Sequence, residues 1–143
     1  MARLNYGLYV SSRHDRLEIL DSNKRAAIYV AKIQSKKTQI SVFRQSEQLP
    51  FEELVAVVTF RRFSSKVDIR MRDGSQGSLY RKTVLSTTYK FETEGIEWNW
   101  KREGLISGNL RLIDMENNET IAKLTECACQ SRRQLCNMAI LVG

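Results

Sequence analysis

Histidine, proline and cysteine are scarce in this chain: one, one and three in 143 residues. His14 lies in the polar run Ser11-Ser-Arg-His-Asp-Arg16. Its neighbour Asp15 cannot orient it, because adjacent side chains of an extended backbone point apart. General acid–base chemistry or a serine triad would have to rest on that one imidazole, and no Gly-x-Ser-x-Gly elbow supplies a nucleophile. Cys127, Cys129 and Cys136 are odd in number and crowded near one end. They make neither a disulfide framework nor the four ligands of a closed zinc site. The run Gly74–Thr83 has glycines and a Lys-Thr pair but lacks the spacing of a phosphate-binding loop. No catalytic residue, metal or cofactor is therefore assigned, and the chain is read as a non-enzyme.

Other absences bound the class. No apolar run approaches the roughly 20 residues of a membrane-spanning helix, and the N-terminus lacks a signal-peptide core. One proline, seven glycines and no low-complexity run argue for a single domain over residues 1–143. The cysteine pattern favours a reducing, intracellular setting, cytoplasmic or membrane-peripheral. No amphipathic helical pattern of 12 or more residues is evident.

What the chain does have is alternation. In Tyr89–Lys101 the apolar Tyr89, Phe91, Ile96, Trp98 and Trp100 alternate with polar residues on both sides of Glu94-Gly95. That is an antiparallel hairpin signature. Similar short runs occur at 6–10, 17–20, 27–33, 39–43, 67–72, 79–85, 109–113 and 120–125. Leu54–Phe60 is apolar throughout, as a doubly covered strand or a short buried helix would be. Gln134–Val142 is read as a strand or as a barrel-filling helix. About ten short strands separated by turn formers predict an all-β sandwich or antiparallel barrel. The tryptophans are expected in its core rather than on a stacking surface.

Charge is concentrated as well. Residues 61–90 hold eight basic residues against two acidic ones, within a chain of net charge +7. In Val67–Arg72 the cations Arg70 and Arg72 project from one strand face. Arg61, Arg62 and Lys66 in the preceding loop, and Arg81 and Lys82 on the next strand, are expected beside them. Such a patch suits phosphate-bearing partners, although a solvated sheet face has the same composition.

The pieces Leu-Glu-Ile-Leu-Asp, Ala-Ile-Tyr-Val-Ala-Lys, Val-Ala-Val-Val-Thr-Phe, Val-Asp-Ile-Arg-Met, the Gly-Ile-Glu-Trp-Asn-Trp-Lys hairpin and Leu-Arg-Leu-Ile-Asp follow one another in order. This order resembles the fungal tubby C-terminal-like domain family, related to tubby, LURP-one-like proteins and phospholipid scramblases. The resemblance implies an antiparallel barrel around a central C-terminal apolar helix, and phosphoinositide binding through basic residues of the barrel surface. The chain departs from the family at its end. Only Glu126–Gly143 follow where further strands and the helix are expected, so the barrel is expected to be incomplete, truncated or plugged by Gln134–Val142.

The expected function is a non-enzymatic binding module docking anionic phospholipid headgroups. Its candidate ligand residues are Arg61, Arg62, Lys66, Arg70, Arg72, Arg81 and Lys82. The alternatives are nucleic-acid binding through the same charges, or a protein-interaction or structural domain.

Overall fold

A computed structural model describes residues 2–10, 15–20, 27–46, 51–61, 63–81, 83, 86–104, 108–126 and 134–142. His14, Arg62, Lys82, Cys127 and Cys129 lie outside these residues. Twelve strands follow in order: β1 (Ala2–Val10), β2 (Arg16–Leu20), β3 (Ala27–Gln34), β4 (Gln39–Arg44), β5 (Glu53–Phe60), β6 (Val67–Met71), β7 (Gln76–Arg81), β8 (Thr88–Thr93), β9 (Ile96–Arg102), β10 (Leu110–Asp114), β11 (Glu119–Glu126) and β12 (Gln134–Val142). Each pairs antiparallel with the next, and β12 returns to β1, so the sheet closes into an up-and-down barrel. Closure leaves no strand edge unpaired. Among the described residues the single non-strand element is the short 3-10 turn Ser35–Lys37.

Gln134–Val142 is thus a strand and not an axial helix. It pairs with β1 from Ala2↔Val142 to Tyr9↔Gln134 and with β11 from Ala122↔Ile140 to Glu126↔Cys136. The physical reason is the two edges it joins, whose backbone donors and acceptors would otherwise lack partners. Leu54–Phe60 likewise belongs to a strand.

The cross-strand register separates two kinds of row. Phe60, Val67, Leu79, Phe91 and Trp98 are successive partners across β5 to β9. One residue along, Thr59, Asp68, Ser78, Glu92 and Glu97 form the adjoining row on the opposite face. The apolar row continues its face through Trp100, Leu112, Ala122 and Ile140. Register shifts at Leu8/Tyr9, Ile19/Leu20, Val42/Phe43 and Leu112/Ile113 mark bulges, which bend strands as a barrel wall requires.

About eight strands make a barrel that its own side chains fill, and twelve enclose more space than that. Accordingly only Val30, Ala56, Leu112, Ile113, Ala122 and Ala139 are buried apolar side chains among the described residues. Trp98 and Trp100 are half-buried, so they anchor the apolar face without reaching full burial. The Trp98 ring packs on Phe91 at 5.7 Å between centroids.

The seventh strand starts earlier than the pattern suggests, at Gln76, which puts Gly77 within the sheet rather than in a loop. A Cβ on Gly77 would lie 3.1 Å from the Phe91 ring and from the Glu92 carbonyl oxygen. Glycine in a strand interior marks such a close approach.

Candidate anion-binding surface

The cations expected to cluster near β6 are divided by the structure. Arg61, just past β5, donates from Nε to Asp68 at 2.7 Å. Arg72 pairs with Glu53, which also accepts from Arg44 at 2.5 Å. The Arg44 guanidinium, with Arg72 nearby, holds the Glu53 carboxyl below the usual carboxylate range. Arg72 is thereby largely committed to a carboxylate.

Arg81 is not beside Arg70. The register sets Arg70 opposite Gln76, and Arg81, five residues along β7, falls on the other face. There its guanidinium carbon lies 5.9 Å from the centre of the Tyr89 ring. Strand alternation explains the separation: odd and even positions of β7 cannot share a face.

Arg70 and Lys66 remain exposed and make no ion pair with a described residue. Arg70 lines a cleft of about 560 Å³ with Gln39, Thr59, Arg61, Asp68 and Gln76. A neighbouring cleft of about 660 Å³ holds Arg61 and Lys66 but also Asp68, Glu92, Glu94 and Glu97. Its carboxylates outnumber its cations, which disfavours an anion.

The strongest unpaired group lies elsewhere on the polar face. Lys101 in β9, Arg111 in β10 and Lys123 in β11 are direct cross-strand partners. Adjacent strands run about 4.8 Å apart, so three cations stand within roughly 10 Å across the sheet. None of the three forms an ion pair with a described residue, and Arg111 and Lys123 are exposed. Like charges directly opposite one another on a sheet destabilise it. These residues escaped the sequence pattern because they lie on three separate strands, and only the register brings them level.

By contrast, Lys90 on the same face is 20% exposed in its side chain and is held between Glu92, at 2.7 Å, and Glu97. Glu92 hydrogen-bonding raises the Lys90 ammonium above its usual range, and Lys90 in turn depresses Glu92. Its cross-strand partner Asn99 is 2% exposed, and its Oδ1 has no hydrogen-bond partner. No group of three or more potential metal-ligating side chains occurs among the described residues. No helix of the described residues is long and apolar enough to cross a membrane.

The chain matches no family model, no curated protein and no solved structure.

Proposed function

We propose that the protein is a non-enzymatic binding module that docks anionic phospholipid headgroups on its polar sheet face. The observation that carries this reading is the unpaired row Lys101–Arg111–Lys123. Three level cations repel one another, and a phosphate-bearing headgroup laid across them removes that repulsion while accepting their hydrogen bonds. Arginine offers a two-pronged fork and each lysine a point charge. Arg70 and Lys66, also unpaired, extend the same attraction, whereas Arg72 and Arg81 are engaged otherwise. The resemblance to tubby C-terminal-like domains, with their basic barrel surfaces, supports the same ligand class.

The test is co-sedimentation with vesicles of neutral lipid, of neutral lipid plus phosphatidylserine, and of neutral lipid plus a phosphoinositide. Each cation near an acidic bilayer contributes about 1 kcal/mol, so neutralising three should weaken binding about a hundredfold. The variant Lys101→Gln/Arg111→Gln/Lys123→Gln is therefore expected to stay in the supernatant while wild type pellets with acidic vesicles. Equal recovery of both proteins with acidic vesicles rejects the row as the site. Binding to duplex DNA without binding to vesicles rejects the lipid reading.

A further inference from the structure

In an up-and-down barrel the connections fall alternately at the two ends, so loop charge can be assigned by end. One end receives the links β1–β2, β3–β4, β5–β6, β7–β8, β9–β10 and β11–β12. Among their described residues, Lys36, Lys37, Arg61 and Lys66 face two acids, Asp15 and Glu103. At the opposite end the described residues are Glu52, Asp73, Glu94 and Glu116 against Arg72. Among the described residues, the barrel is basic at one mouth and acidic at the other.

The basic end also carries Phe63, fully exposed in the β5–β6 link with a backbone φ of 61°. Neither water nor backbone geometry favours phenylalanine there, since a bulky side chain in the left-handed region is strained. Phe51 is exposed as well, but at the acidic end beside Glu52 and Glu53.

We infer that the barrel docks end-on to an anionic bilayer, with the basic mouth toward the lipid and Phe63 inserted among the acyl chains. This rests on the headgroup reading above and adds an orientation and an inserted residue to it. Lys36, Lys37, Arg61 and Lys66 meet the headgroup layer, and the acidic mouth faces away from the negative surface. Lys101 and Arg111, close to the basic ends of β9 and β10, join that layer from the wall. An exposed aromatic ring gains by leaving water, and basic loops hold it at the interface, as amphipathic membrane anchors do.

The experiment uses vesicles of equal parts phosphatidylcholine and phosphatidylserine. Phe63→Asn suits the left-handed backbone, so it preserves the fold while removing the apolar tip. It is expected to bind about tenfold or more weakly than wild type, from the lost burial of one aromatic side chain. Phe51→Asn is expected to bind as wild type does. Phe63→Trp fluorescence should be quenched by lipids brominated on their acyl chains, beyond any quenching seen for wild type, which carries Trp98 and Trp100. If wild type binds and Phe63→Asn binds equally, with no added quenching of Phe63→Trp, end-on insertion is overturned and the headgroup reading stands. If wild type fails to bind any acidic vesicle, the headgroup reading itself fails.

Discussion

Positive backbone angles at Glu94, Gly95 and Phe63 show what a turn demands of the residues that form it. Glu94 and Gly95 both take positive φ, 43° and 80°, as the two-residue turn joining Thr93 to Ile96 requires. Gly95 satisfies that geometry freely, while Glu94 does so with strain. Glu94→Asn should therefore raise stability by about 1 kcal/mol, read as a shift in the denaturant midpoint without a change of slope. Phe63 has the same backbone problem and a worse solvation problem, and a turn's needs do not explain its aromatic ring. Asn99 shows a different limit on what a sequence reveals. It alternates with Trp98 and Trp100 as a solvated residue would, yet it sits almost fully buried between Lys90 and Ile113. A period of two reports which face a residue is on and not how deeply its neighbours cover it.

At the scale of elements, strand identity was largely legible and pairing level was not. The hairpin of β8 and β9 was evident because alternation continues on both sides of a glycine turn. The start of β7 was misplaced because Gly77 looks like a loop residue until Phe91 is seen above it. Gly77→Val is expected to destabilise the barrel by about 1–3 kcal/mol, since its branches must push the Phe91 ring and the β8 backbone aside. A thermal melt of the variant unchanged from wild type would show that Phe91 moves freely. The row Lys101–Arg111–Lys123 belongs to this scale too. Its members are remote in sequence, and two registers must be known before they align. The basic stretch 61–90 was visible in the sequence, but strand alternation sent Arg81 to one face and Arg70 to the other.

For the whole molecule, the polar face is held by ion pairs distributed around the wall. Glu52 accepts from Lys32 at 2.6 Å and from the Gln45 amide, and Lys32 chiefly lowers its pKa. Glu53 is lowered by Arg44, Glu92 by Lys90, and Asp73 by the Ser75 hydroxyl and backbone amide. A carboxyl depressed in the folded state stabilises above its unfolded pKa and loses that contribution as pH falls through the folded value. The melting temperature should thus hold steady above about pH 5 and decline below about pH 4, where unfolded carboxyls begin to take up protons first. Lys90 and Arg44 are shifted upward, so their contribution persists until strongly alkaline pH. A melting temperature constant down to about pH 2 would mean that these exposed pairs add nothing to stability.

The sequence by itself determined that the chain is all-β, that its strands carry one apolar and one polar face, and that it is basic. Those properties follow from side-chain alternation and composition, which need no partner strand to be read. Only the tertiary structure decided that twelve strands close on themselves, that Gln134–Val142 completes the wall, and that charge divides between the two mouths. Each of those depends on which residues lie opposite one another across distant strands, a relation set by hydrogen-bond register and closure.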